Sequence, residues 1–324
     1  DLAPLTPHID SIAKAGVRFT NAYMSGCVCS PSRAGLMTGR YQGRFGHEHN
    51  IPPGTMDGGM DLAQETVADR MRTLGYATGL VGKWHLGYPE PYQPNQRGFE
   101  WFHGLLQGAR RYFPLENPSP HQVIQENGVA LPEEGYVTDR FGDAAVRFIE
   151  EHRGEPFFLF VSFTAPHGPL QAKPEDLARL EHIETPKRRK YAGLVKSLDD
   201  NVGKVLDALR RHDLERHTIL VFTNDNGGQT STGAINAPLR GRKGMLLEGG
   251  IRVPMCLRWP GVAPAGGVID DPVIALDLLP TFVRAAGGET PDAWALDGVD
   301  LGPRLREETK TLAPRPFFWR QFGP

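Results

Sequence analysis

Apolar runs in this chain stop at clusters of Gly, Asn, Asp, His and Pro, and segments of helical period lie between them. Four runs read as strands: Ala77–Val81, Phe157–Thr164, Thr218–Thr223 and Val253–Arg258. Each is short, largely apolar and bounded by turn residues, the pattern of strands covered on both faces. Two segments carry a helical apolar stripe. From about Lys190 to Arg211, residues Tyr191, Leu194, Leu198, Val202, Val205 and Leu209 fall on one face; from about Asp139 to His152, Phe141, Ala145, Phe148 and Ile149 do the same. Strands alternating with helices predict an α/β fold in which a sheet is sandwiched by helices. Asp199 and Asp200 on the long helix read as a solvated edge. The Pro/Gly-rich stretches Tyr88–Gly98 and Arg111–Gly135 read as long surface loops that shape a pocket.

Three strands end in polar clusters: G-K-W-H-L-G after Val81, A-P-H-G-P after Thr164 and N-D-N-G-G after Thr223. In open α/β sheets, ligands bind beyond the carboxyl ends of strands. The three clusters are therefore expected to meet at one cleft.

Composition narrows what that cleft serves. With 324 residues the chain can bury one large core or two domains, and 40% hydrophobic content is ordinary for a globular protein. A formal net charge of -2 argues against bulk capture of nucleic acid, so anion recognition must rest on locally placed Lys and Arg. No apolar run reaches the length of a membrane span and no basic leader with an apolar core opens the chain, so any signal peptide is expected to have been removed. Three cysteines, Cys27, Cys29 and Cys256, cannot build a disulfide framework. The Cys27-x-Cys29 spacing lacks the second pair a zinc site needs. Cys27 and Cys256 read as small buried apolar residues.

The densest chemistry lies in Cys29–Arg40, C-S-P-S-R-A-G-L-M-T-G-R. Ser30 followed by Pro31 reads as an N-cap and first-turn pair, which puts Cys29 where a helix begins. Helix starts attract anions, and Arg33, about one turn in, can fork onto sulfate or phosphate oxygens. Taken alone, the cysteine reads as a buried structural residue beside a capped helix.

C-x-P-S-R followed by T-G-R resembles the signature of type I sulfatases. The resemblance continues in family order through T-P-H-I-D-S-I-A-K-A-G-V-R-F-T-N-A-Y, G-K-W-H-L-G, A-P-H-G-P, N-D-N-G-G and L-R-G-R-K-G-M-L-L-E-G-G-I-R-V-P, from about Thr6 to at least Pro254. It implies an alkaline-phosphatase-like fold with a mixed, largely parallel sheet sandwiched by helices. Residues 1–312 would form the catalytic domain, and residues 313–324 would start a small C-terminal antiparallel subdomain that is largely absent. It implies too that a formylglycine-generating enzyme oxidises Cys29 to formylglycine, whose hydrated aldehyde is the nucleophile.

At the matching positions, Arg33 would support the hydrate, and Lys83 and Lys243 would hold sulfate oxygens. His85 would assist collapse of the hydrate, while His167 would bind sulfate and protonate the departing alcohol. Imidazole suits both roles, because its unperturbed pKa lies near neutrality. Asp225 and Asn226, with residue 29, would ligate Ca²⁺ or alternatively Mg²⁺, and hard oxygen donors suit such ions. By itself N-D-N-G is also a tight turn. His8, His121, His152, His182, His212 and His217 read as surface or core residues.

The pattern departs from the family at its start. Sulfatases begin with a strand ending in an Asp-Asp pair that supplies two more metal ligands, and no such pair precedes Thr6. Asp1-Leu2 reads as the remnant of a later segment, which would put the pair upstream. R-Y-Q-G-R-F-G-H-E-H-N is similar to bacterial sulfatases acting on sulfated glycans, so the resemblance implies a sulfated carbohydrate or related ester as substrate. It also implies a bacterial, periplasmic or secreted protein. Two rival readings remain: a phosphonate or phosphodiester hydrolase of the same superfamily, and a non-catalytic relative that binds sulfated glycans.

Overall fold

The apolar runs at Ala77 and Phe157 pair with each other. The computed structural model describes Leu2 and residues 5–321; Asp1, which bears on the upstream pair, and the last three residues of the 313–324 segment lie outside the described residues. In chain order the strands are β1 (Val17–Phe19), β2 (Ala22–Tyr23), β3 (Ala77–Lys83), β4 (Trp101–Leu105), β5 (Gln125–Glu126), β6 (Val129–Ala130), β7 (Phe157–Ser162), β8 (Leu220–Thr223), β9 (Met255–Arg258), β10 (Gly267–Ile269) and β11 (Val273–Ile274). β3 lies between β4 and β7 and parallel to both, with Ala77 opposite Phe157 and Gly79 opposite Trp101. β5 and β6 extend this sheet antiparallel beyond β4. A second sheet runs β10-β1-β9-β8, in which β9 is antiparallel to both neighbours, and β2 pairs parallel with β11.

The helices that position the site are α1 (Pro7–Lys14), α2 (Cys29–Thr38), α3 (Val67–Thr73), α4 (Val137–Glu151), α5 (Pro174–Ala178) and α6 (Pro186–Arg211). On one face of β3, Val81 packs with Phe141 and Ala145 of α4 and Leu194, Leu198 and Val202 of α6. On the other, Leu80 packs with Phe102, Met71 of α3 and Met37 of α2. Successive residues thus feed separate cores, which is why this strand is apolar without alternation. The long helix starts earlier than Lys190, at Pro186 in its first turn, where proline's missing N–H removes no intrahelical bond.

Two structural expectations are corrected. Asp199 is not on a solvated edge: it is buried, and its carboxylate accepts the His8 N–H at 3.1 Å and the Ile9 N–H at 2.8 Å. It caps α1 from across the fold, in place of Thr6, whose side chain makes no cap bond. Asp200 is the solvated member, paired with Lys196 at 2.6 Å. The two supposed surface loops are also partly interior. Tyr88 and Arg97 are buried, Arg97 donating to the carbonyls of Met60, Asp61 and Gln64, and the second stretch contains the β5–β6 hairpin.

β7 ends one sheet and β8 ends the other. Between them lies a cavity of about 1160 Å³, lined along the length of both strands. Leu198, Val202 and Leu206 of α6 face it from one side, and Leu278, Leu279 and Phe282 from the other. At one end the lining turns polar, at Arg33, Lys83, His167, Asp225 and Lys243.

Candidate active site

α2 begins at Cys29, with Val28 extended before it and no side-chain cap of its own. Ser30 is therefore not the N-cap, a correction to the sequence reading; it lies inside the first turn. Its N–H is satisfied by Asn50 Oδ1 at 2.9 Å, which leaves the Ser30 hydroxyl to donate to the His85 carbonyl at 2.7 Å. Arg33, buried one turn on, donates Nε–H to the Trp84 carbonyl at 2.8 Å and an Nη2–H to the Lys83 carbonyl. The start of α2 is thereby tied to the end of β3, which carries Lys83 and His85.

All eight expected residues converge. Lys83 Nζ is 3.5 Å from Asp225 Oδ2 and Arg33 Nη1 is 3.9 Å from the same oxygen. Lys243 Nζ is 3.1 Å from Cys29 Sγ and 3.1 Å from His167 Nε2. The His85 ring acts on the same sulfur by favouring its ionised form. Asn226 follows Asp225 in the turn after β8, with Nδ2 donating to the Gly227 carbonyl at 2.8 Å. The three clusters at strand ends thus meet, and the start of α2 and the loop bearing Lys243 close the ring.

Charge is concentrated here away from bulk water. Asp225 exposes 31% of its side-chain surface, but that surface opens on the cavity between β7 and β8. Burial pushes its carboxyl up, yet Lys83, Arg33, Lys243 and His167 outweigh it and hold the group well below the usual carboxylate range. The Cys29 thiol behaves alike. Burial and the Asp225 charge raise it, but Lys83, His167 and His85 together hold it well below an ordinary thiol.

Proton counting defines His167. Its Nδ1 lies 2.7 Å from the Gly168 carbonyl, which can only accept, so Nδ1 carries a proton. Nε2 then presents a lone pair to the Lys243 ammonium. Tyr112, fully buried, donates its hydroxyl to the His167 carbonyl at 2.8 Å and fixes this turn.

The donor set also fits a cation. Asn226 Oδ1 is buried without a hydrogen-bond partner, although buried carbonyl oxygens are ordinarily satisfied. It sits beside a carboxylate held ionised. Among the described residues, no group of three or more His, Cys, Asp or Glu is arranged to hold a metal; Asp225 and Asn226 are two oxygen donors adjacent in one turn.

Sequence reasoning missed His47, Asn50 and Tyr112. His47 and Asn50 fall in R-Y-Q-G-R-F-G-H-E-H-N, where no periodicity or spacing links them to residue 30. His121 stacks on Tyr88 and His152 pairs with Glu155, in keeping with their structural reading. Cys27 and Cys256 are buried free thiols.

Residues 1–288 match the Sulfatase family, and the chain belongs to it. It is 32% identical to Arylsulfatase J of Mus musculus over 93% of this chain and 52% of that protein. It is also 32% identical to N-acetylgalactosamine-6-sulfatase of Sus scrofa, over 97% of this chain and 63% of that one. The chain thus spans between half and two-thirds of the length of these relatives. Among solved structures, Ps i-CgsB in complex with k-i-k-neocarrahexaose aligns with a TM-score of 0.90 and 38% identity, covering 93% of this chain and 71% of that one. Phosphonate monoester hydrolase from Silicibacter pomeroyi, 21% identical with a TM-score of 0.66 over 98% of this chain and 73% of that one, shares the fold. The expectation of an alkaline-phosphatase-like mixed α/β fold is met.

Proposed function

We propose that this protein hydrolyses sulfate esters of carbohydrates, with a nucleophile made from Cys29 by a formylglycine-generating enzyme. The observation that carries the reading is the surrounding of the Cys29 sulfur: the Lys243 ammonium contacts it at the start of a helix and also meets His167 Nε2, while a second ammonium and a guanidinium stand beside Asp225. A tetrahedral sulfate ester, a monoanion, fits that positive lining, and preorganised cations stabilise charge spreading over the equatorial oxygens. Formylglycine at position 29, hydrated, supplies two hydroxyls, one to attack sulfur and one whose ionisation expels sulfate.

The chain's own residues take distinct parts. Lys83 and Lys243 hold sulfate oxygens. Arg33 fixes the start of α2 against β3 and supports residue 29. His85 assists loss of the second hydroxyl proton. His167 protonates the leaving alcohol through Nε2, because its Nδ1–H is held by the Gly168 carbonyl. Asp225, the orphaned Asn226 oxygen and residue 29 would hold Ca²⁺, or Mg²⁺ in its place. Such an ion would polarise a sulfate oxygen and lower the pKa of the attacking hydroxyl.

The remaining metal ligands are assigned to a carboxylate pair upstream of Asp1. The cavity between β7 and β8 supports this, since its polar end is the active site and its length follows two unpaired strand edges. Residues 1–312 are read as the catalytic domain and 313–324 as the approach to a second subdomain. Among the described residues no helix is long and apolar enough to cross a membrane; a periplasmic or secreted bacterial enzyme is proposed. A glycan substrate is favoured because Ps i-CgsB was solved with a carrageenan-type oligosaccharide. The phosphonate or phosphodiester alternative stays open on fold alone.

Intact-peptide mass spectrometry with a hydrazide probe tests the nucleophile. Active protein is expected to carry an aldehyde at residue 29 and to release sulfate from sugar sulfates faster than it cleaves phosphodiesters. Full activity from protein whose Cys29 is entirely thiol would overturn the reading.

A further inference from the structure

The site contains a histidine that touches neither the sulfur nor any of the charged groups around it. His47 is 7% exposed, and its Nε2 lies 2.7 Å from Ser30 Oγ. The same oxygen lies 2.7 Å from the His85 carbonyl. Ser30 has one hydroxyl proton and the carbonyl can only accept, so that proton goes to His85. For the second bond to form, Ser30 must accept from His47, which requires the imidazole proton on Nε2. The chain is directional: His47 Nε2–H to Ser30 Oγ, and Ser30 O–H to the His85 carbonyl. Burial pushes the His47 imidazole down to about 4 against the pull of the Gly59 carbonyl, so the ring is neutral near pH 7 and has a single proton, for which Ser30 Oγ and that carbonyl compete.

His85 needs such a hold. Its backbone has φ 62°, a left-handed conformation that a residue with a Cβ adopts at a cost. That conformation breaks from the extended course of β3. Its ring has little else to orient it, because Nδ1 is buried without a hydrogen-bond partner. The opposite flank is set by Gly108, where a Cβ would fall 2.4 Å from the imidazole Cε1. The His85 N–H, donated to the Leu106 carbonyl at 2.9 Å, and its own carbonyl, held by Ser30, are the remaining anchors.

We propose that His47 is a positioning residue for His85, acting through Ser30 to hold the left-handed backbone that turns the imidazole toward residue 29. The inference rests on the sulfatase reading above but concerns a residue outside the reacting groups. Without the relay the carbonyl is released, the backbone relaxes, and the ring leaves its place over residue 29.

The test uses the whole protein with residue 29 conversion checked by mass spectrometry, since Ser30 lies inside the modified motif. His47→Leu fills the space without a donor and is expected to lower kcat by about 10–100-fold, the loss typical of a misplaced catalytic group. KM should stay within about twofold, because sulfate contacts are kept. His47→Gln, whose amide N–H can take the place of Nε2–H, should recover most of kcat. Ser30→Ala should match His47→Leu, and the double variant should be no slower than the worse single one. Gly108→Ala should displace the same ring from its other side. Histidine side-chain ¹⁵N spectra read that displacement without substrate, and the His85 resonances should move in His47→Leu and return in His47→Gln. Wild-type kcat in Ser30→Ala, or a Gln variant as slow as the Leu variant, overturns the relay. If His47→Leu fails to fold, Ser30→Ala and the spectra still decide. Failure of the wild-type protein to cleave any sulfate ester sinks the sulfatase reading instead, and leaves the spectra to judge the relay alone.

Discussion

Lys243 stands in contact with both Cys29 and His167, and these distances assign work that residue type alone does not. Since Lys243 is within 3.1 Å of both partners, its charge serves the anion at the place where His167 Nε2 stands. A general acid matters most when the departing alcohol is a poor leaving group. His167→Ala should therefore slow sugar sulfates by about a hundredfold to ten-thousandfold while activated aryl sulfates lose far less. Equal losses for both would reassign His167 to sulfate binding alone. His47 yields a second expectation. Burial lowers its pKa from 6.5 to about 4, against the pull of the Gly59 carbonyl and with help from the charges of His85 and Arg97. As pH falls below 6.5 the unfolded chain takes up a proton that the folded one refuses. Stability should fall toward pH 4 by up to about 3 kcal/mol for this group. Urea denaturation at neutral pH and near pH 4 should show that part of the acid sensitivity missing in His47→Gln.

At the scale of elements, the local patterns were legible where neighbours in sequence are neighbours in space. α4 and α6 keep the stripes read from the chain, and β3, β7, β8 and β9 lie within the four apolar runs or extend them by a short step. The site was legible too, because polar clusters following apolar runs land on strand ends. What escaped were side chains that cap elements far away in the chain. Asp199 looks like half of a charged pair on a helix, yet it satisfies the first N–H groups of α1, 190 residues or more from it in sequence. Asn50 does the same for α2. No periodicity encodes such bonds. Asp199→Ala should leave the His8 and Ile9 N–H groups unpaired, a loss of about 1–3 kcal/mol, read as a lower denaturation midpoint with unchanged slope. Asp200→Ala on the same helix should change stability little, because its exposed pair with Lys196 contributes at most about 1 kcal/mol. Similar losses for the two would show that Asp199 is not the cap.

At the scale of the whole molecule, the edges of the two larger sheets, β7 and β8, border an apolar gap, and the gap ends at the active site. β7 and β8 each have one paired edge, and about 1160 Å³ separates their other edges. A strand presents a row of N–H and C=O groups along any edge that has no neighbour, and the side chains of α6 and of Leu278–Phe282 provide apolar cover above and below. A polypeptide strand in that gap would pair on both sides, and its end would arrive beside Asp225 and Asn226. Hard cations need six or more oxygen ligands, and Asp225 and Asn226 offer too few. The protein beginning at Asp1 should accordingly bind calcium weakly and turn over slowly. On the proposed assignment of the other ligands to an upstream strand, extending the protein to include that strand should restore both, and should raise thermal stability by closing the gap between the sheets. Asp225→Ala should abolish calcium binding even in the extended protein while leaving that gain in stability in place, because the strand pairs through its backbone. Calcium titration followed by calorimetry, sulfate release and thermal melting on the same three proteins separates the two effects. Tight calcium binding and full turnover by the protein starting at Asp1 would show that the metal ligands all lie within the present sequence.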